Sequence, residues 1–212
     1  MNIKSVGIVG AGTMGSGIAQ TFVQSGFDVC LVDVDEAPLA RARRSIETGL
    51  DKFVSKGRLT IADRDDAVRR LSTAIDIAQL SNVDLAIEAI VEDVDAKRAL
   101  LARLDATIRP DALLASNTSS ISITVLAAAT THPVRVLGLH FMNPVPLMPL
   151  VEVIRGESTS KDAVKSAMEL CVTLGKTPVE AADFPGFIAN RILLPMINEA
   201  IYTLYEGVGG VE

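Results

Sequence analysis

Val6-Gly7-Ile8-Val9-Gly10-Ala11-Gly12-Thr13-Met14-Gly15 joins an apolar run to a glycine-spaced turn, and Thr13 to Gln24 beyond it carries Met14, Ile18 and Phe22 on one helical stripe. Lys4 to Val9 therefore reads as a buried strand. Thr13 to Gln24 reads as a helix that Gly26 stops, and Asp28 to Val32 as a second strand leading to Asp33. The glycine spacing alone is weak. A strand before it, a helix after it and a carboxylate about 20 residues on complete a dinucleotide-binding fingerprint. Gly10 permits the tight turn, Gly12 lets backbone approach a pyrophosphate, and Gly15 lets the helix pack closely on the strand. The helix N-terminus, with Thr13 and Met14, then faces the phosphates. Asp33 is placed to accept hydrogen bonds from the adenosine ribose hydroxyls. With Asp35 and Glu36 nearby it repels a 2'-phosphate, so NAD is expected over NADP, with FAD the nearer rival.

Working outward, strands and helices keep alternating, the pattern of a mostly parallel sheet covered on both faces. Pro38 suits the first turn of a long helix running to Gly57, a stretch rich in Arg41, Arg43, Arg44, Lys52 and Lys56, with Arg58 just beyond. A polar helix about Asp63 to Arg70 follows, then strands near Thr73 to Ile75 and Leu85 to Glu88. Ala96 to Ile108 has helical apolar spacing. Ala112 to Ser116 and Val134 to Phe141 read as strands flanking a short helix from Ile123. Pro144, Pro146 and Pro149 impose a rigid loop before a strand at Val151 to Ile154, and Lys161 to Leu174 is helical with Gly175 as its stop. Asp183-Phe184-Pro185-Gly186 marks the expected boundary between residues 1–184 and 185–212. The helix expected from Phe187 to Tyr205 is apolar around most of its circumference and contains Pro195, so it should kink and need packing partners.

Composition narrows the function. The chain has 212 residues, 49% of them apolar, enough for a sizeable core. A net charge of -6 removes the broad attraction that non-specific nucleic-acid binding needs. No apolar run reaches the length of a membrane span, and no signal peptide opens the chain, so a cytoplasmic protein is expected. Cys30 and Cys171 are far apart and lack metal-ligand spacing, which points to reduced thiols and no metal site.

Four polar residues stand where the chain otherwise reads as apolar or rigid: Ser119, His140, Glu152 and Asn190. His140 ends a strand. Glu152 lies between Val151 and Val153, where a carboxylate is costly without a partner, and an imidazolium would serve. Singly, each has a plainer reading: a hydrogen-bonded core histidine, a capping or packing amide at Asn190, a turn-closing serine. Spacing alone does not join them.

These residues lie in segments that resemble the L-3-hydroxyacyl-CoA dehydrogenases. The matching segments are the glycine turn, Glu88-Ala89-Ile90-Val91-Glu92, Ser116-Asn117-Thr118-Ser119-Ser120, Gly138 to Pro146, Val151-Glu152-Val153, and Pro185-Gly186-Phe187 through Asn190-Arg191. The resemblance implies a Rossmann-type doubly wound α/β fold followed by the first helix of an all-helical second domain. It implies His140 as general base for the 3-hydroxyl proton, Glu152 supporting its imidazolium, and Ser119 and Asn190 holding the substrate oxygens. Glu92, Lys97, Ser119 and Asn143 would line the nicotinamide-ribose end of NAD. The basic helix up to Lys56 would meet the phosphates of an acyl-CoA, its plainer reading being a solvated face. Met142 departs from the Phe usual in the family. Family members continue into a helical domain that completes the acyl-CoA cleft and forms a homodimer, so a longer chain is expected. A sugar-acid dehydrogenase of gulonate type and a non-catalytic NAD-binding module are the competing expectations.

Overall fold

The computed structural model describes residues 3–211. Its centre is an eight-stranded sheet: β1 (Ser5–Val9), β2 (Asp28–Val32), β3 (Leu71–Ala74), β4 (Leu85–Glu88), β5 (Leu113–Ser116), β6 (Val136–Phe141), β7 (Leu150–Arg155) and β8 (Thr177–Ala182). The spatial order is β3-β2-β1-β4-β5-β6-β7-β8. Neighbours run parallel except β6 and β7, which pair antiparallel. The expected mostly parallel, doubly wound sheet is therefore the observed one.

Helices cover both faces: α1 (Thr13–Gln24), α2 (Glu36–Ser55), α3 (Ile61–Arg69), α4 (Val94–Thr107), α5 (Ile123–Ala127), α6 (Lys161–Thr173) and α7 (Ala189–Tyr205). Ile18 and Phe22 of α1 are fully buried beside Leu39, Ile46 and Leu50 of α2 in the core on one face. Leu101 and Leu104 of α4 join Leu126 of α5 in the core on the other. Because parallel strands are buried on both sides, β1, β4, β5 and β6 read as nearly continuous apolar runs.

Three places differ most from expectation, the first being β6, which starts at Val136 and not at Val134 because Pro133–Arg135 forms a 3-10 turn. β8 was not foreseen. It is an edge strand with Pro178 near its start and only Ala181 buried, so it has almost no apolar signal of its own and is held by its ladder to β7. The strand foreseen at Thr73 to Ile75 starts earlier, at Leu71, because register with Val29 on β2 fixes it. The helix after Pro185-Gly186 forms as expected, with Pro195 inside, and none of its described residues is buried. Among the described residues no helix is long and apolar enough to cross a membrane.

Candidate active site

Strand order reverses between β1 and β4, and the C-terminal ends of strands at such a reversal open a crevice. The glycine turn spans it. Gly10 has φ +109°, and a Cβ there would stand 2.4 Å from the Ala89 carbonyl oxygen. At Gly15 a Cβ would come within 1.7 Å of the Gly10 carbonyl oxygen, so α1 could not approach β1. Gly12 faces open space within 4 Å of its missing side chain and caps α1 without a side-chain hydrogen bond, which leaves the helix N–H groups of Thr13 and its successors available to an anion. This cradle fits a dinucleotide pyrophosphate.

Asp33 sits just past β2. Its carboxylate accepts from Ala11 N–H at 2.7 Å and from Val34 N–H at 2.8 Å, so it holds the glycine turn as well as bordering the cleft. The cleft has a volume of about 1320 Å³ and runs from Gly10, Gly12, Thr13, Met14 and Asp33 to Arg41, Arg44, Lys52, Lys56 and Arg58 on and beyond α2. Thus one continuous space links the glycine turn to the basic stretch. Arg43 is the exception, outside this lining and paired with Glu47 at 3.2 Å. Asn143, with Pro144, Val145 and Pro146, closes the opposite wall. Lys176 pins that proline-rich loop by donating to the carbonyls of Val145 (2.5 Å) and Met148 (2.9 Å), and burial lowers its pKa.

The four scattered polar residues meet at the ends of β5, β6 and β7 and at the start of α7. Antiparallel pairing sets His140 directly opposite Glu152. His140 Nδ1 lies 2.8 Å from Glu152 Oε2, and its Nε2 lies 3.1 Å from Ser119 Oγ. A carboxylate only accepts, so the proton belongs on Nδ1 and the Nε2 lone pair faces Ser119. The other oxygen of Glu152 accepts from Ile188 N–H (2.8 Å) and Ala189 N–H (2.9 Å), tying β7 to the first turn of α7. Asn190 Nδ2 donates to the Ser119 carbonyl at 3.2 Å. None of the four lines the cleft just described.

Sequence reasoning missed several supports. Phe187 takes φ +47° and sets its buried ring edge-on to His140, with centroids 5.8 Å apart. Asp183 binds the start of α5 through Ser122 Oγ, the N–H of Ile123 and both N–H and Oγ1 of Thr124, which anchors the chain entering α7. Asn117 Oδ1 accepts from Phe141 N–H, joining the ends of β5 and β6. Glu92, already expected from the family resemblance, accepts from Thr118 Oγ1 and, at 2.9 Å, from Ser119 N–H. Burial pushes the Glu92 carboxyl up, but these bonds and the Lys97 ammonium more than offset it, and its pKa lies below the usual carboxylate range. Lys97 is not at the cleft surface. It is 1% exposed and lies between Glu88 and Glu92. No sequence period marks these groups, because each contact joins separate strands or loops.

A dinucleotide cradle next to a carboxylate-braced histidine at the end of a neighbouring strand defines the class: a dehydrogenase working with a nicotinamide cofactor. Comparison with known proteins gives the family. The model of the 3-hydroxyacyl-CoA dehydrogenase NAD-binding domain matches residues 5–184. The 3-hydroxybutyryl-CoA dehydrogenase of Bradyrhizobium diazoefficiens is 50% identical over 210 residues, covering 99% of this chain and 72% of that protein. The probable 3-hydroxybutyryl-CoA dehydrogenase of Bacillus subtilis is 46% identical, covering 100% and 74%. The crystal structure of (S)-3-hydroxybutyryl-CoA dehydrogenase PaaH1 from Ralstonia eutropha superposes with a TM-score of 0.95 at 44% identity, covering 98% and 74%. The chain belongs to the 3-hydroxyacyl-CoA dehydrogenase family of NAD-dependent oxidoreductases.

Proposed function

We propose that the chain interconverts a short L-3-hydroxyacyl-CoA, 3-hydroxybutyryl-CoA in the first instance, and its 3-oxoacyl-CoA. The observation that carries this is His140 held between Glu152 and Ser119, with its Nε2 lone pair turned towards Ser119 Oγ. NAD, when bound, accepts the hydride from C3. His140 Nε2 takes the 3-hydroxyl proton, and Glu152, already on Nδ1, stabilises the imidazolium that results. Ser119 Oγ and the Asn190 amide hold the substrate oxygens so that the hydroxyl meets Nε2. In reduction Nε2 returns the proton.

Gly10, Gly12, Thr13, Met14 and Gly15 cradle the pyrophosphate and Asp33 reads the adenosine ribose. Glu92, Lys97, Ser119 and Asn143 serve the nicotinamide-ribose end, Lys97 acting through Glu92. Lys56 and its basic neighbours take the CoA phosphates, supported by the single cleft they share with the glycine turn. Residues 1–184 are the NAD-binding unit, and 185–212 open a helical unit for substrate and homodimer contacts, supported by the exposed apolar face of α7. A sugar acid brings a single carboxylate, whereas Arg41, Arg44, Lys52, Lys56 and Arg58 on one wall match the several phosphate charges of CoA, which favours acyl-CoA. The test is NADH consumption with acetoacetyl-CoA before and after His140→Ala. The substitution should abolish turnover and leave NADH affinity within about twofold, since His140 lies outside the cradle. Retained turnover would remove His140 from this role.

A further inference from the structure

Glu88, at the end of β4, is fully buried, yet it is a carboxylate. Such a group is tolerated only when paired and hydrogen-bonded. Its oxygens accept from Lys97 Nζ at 2.5 Å, Ser116 Oγ at 2.5 Å and Ile90 N–H at 2.7 Å. Lys97, equally enclosed, also stands 3.3 Å from Glu92 Oε2. The second oxygen of Glu92 meets Thr118 Oγ1 and the N–H of Ser119, and Ser119 Oγ meets His140. An unbroken line of contacts therefore joins a buried ion pair under the sheet ends to the imidazole. A pair kept only for packing would not need to be ionic, since a well-packed apolar pair of similar volume is often as stable or more so.

We propose that Glu88 and Lys97 are positioning residues: Glu88 fixes the Lys97 ammonium, Lys97 fixes Glu92, and Glu92 sets the Ser119 turn at the height where Ser119 Oγ meets His140 Nε2. This rests on the dehydrogenase reading for its kinetic consequence but not for its geometry. A displacement of the order of 1 Å in such a turn is enough to lower kcat by up to about 100-fold.

Lys97→Met alone strands a buried carboxylate and can simply unfold the chain, so the deciding variant is Glu88→Gln with Lys97→Met, a neutral pair. It should melt near the unsubstituted protein, while kcat falls roughly 10-fold or more, with a rise in KM for NADH because Lys97 holds Glu92 at the nicotinamide-ribose end. The chain has only two histidines, so imidazole NMR gives an independent readout. His140 resonances should move in the variant, and those of His132, bonded to Asp105 and Thr131 instead, should not. A variant with unchanged kcat, or with unmoved His140 resonances, would overturn the proposal. No turnover by the unsubstituted protein would refute the dehydrogenase reading instead, and the His140 resonances would still decide this one.

Discussion

Replacing Glu152 by Gln changes one atom in a buried group and should separate catalysis from stability. The carboxylate serves three donors: His140 Nδ1 on one oxygen, and Ile188 and Ala189 N–H on the other. A carboxamide offers one oxygen and one NH2. If the NH2 faced α7, two backbone donors would lose their acceptor, at about 1–3 kcal/mol each. If it faced His140, the ring would shift its proton from Nδ1 to Nε2, which costs much less. The second arrangement wins, so α7 stays anchored and the chain should lose no more than about 1–2 kcal/mol. Nε2 then carries a proton and cannot accept one from the substrate. The same carboxylate-to-amide exchange beside a catalytic histidine in serine proteases costs about 10⁴-fold. We therefore expect NADH formation from L-3-hydroxybutyryl-CoA to fall by about 10³-fold or more in kcat. Steady-state kinetics, a thermal melt and ¹⁵N shifts of the imidazole would read the three consequences separately. A variant whose ring has switched tautomer but whose kcat stays within about tenfold would refute the reasoning.

Two further outcomes follow from the geometry. Lys56→Gln should weaken acyl-CoA binding by roughly fivefold at low salt and less at high salt, with NADH affinity unchanged, as read by titration of each ligand; equal affinities for acyl-CoA would return the basic stretch to a solvated surface. Asp105 gives an acid limit. Burial pushes its carboxyl up, but hydrogen bonds from Thr131 and Arg135 outweigh that and hold it at about 2, against an ordinary value of 3.8. A lowered folded pKa stabilises the fold above the ordinary value and loses that contribution as pH falls from 3.8 towards 2, here on the order of 2 kcal/mol. Denaturant midpoints measured over that range should fall, and Asp105→Asn should flatten the decline.

Much of the fold was legible in the primary structure because local chemistry and topology agree. β1, α1 and β2 follow from apolar period, glycine placement and helix stops, and the boundaries of α1 and β2 are those expected. β8 was not legible, since an edge strand held by β7 needs little apolar pattern. Pro185 and Gly186 likewise marked a new helix, while Phe187 in its left-handed turn against His140 left no local trace.

The sequence by itself determined the dinucleotide cradle, because its glycines, helix start and Asp33 lie within one βαβ unit where spacing in the chain is spacing in space. It also named Ser119, His140, Glu152 and Asn190 through the family resemblance. Only the tertiary structure decided that β6 and β7 run antiparallel, which puts His140 opposite Glu152, and that the second oxygen of Glu152 seats α7. It alone took Lys97 out of the cleft and put it between Glu88 and Glu92. Those contacts join residues far apart in the chain, and what selects them is burial: a carboxylate or an ammonium inside the protein must find its partner wherever the sheet brings one.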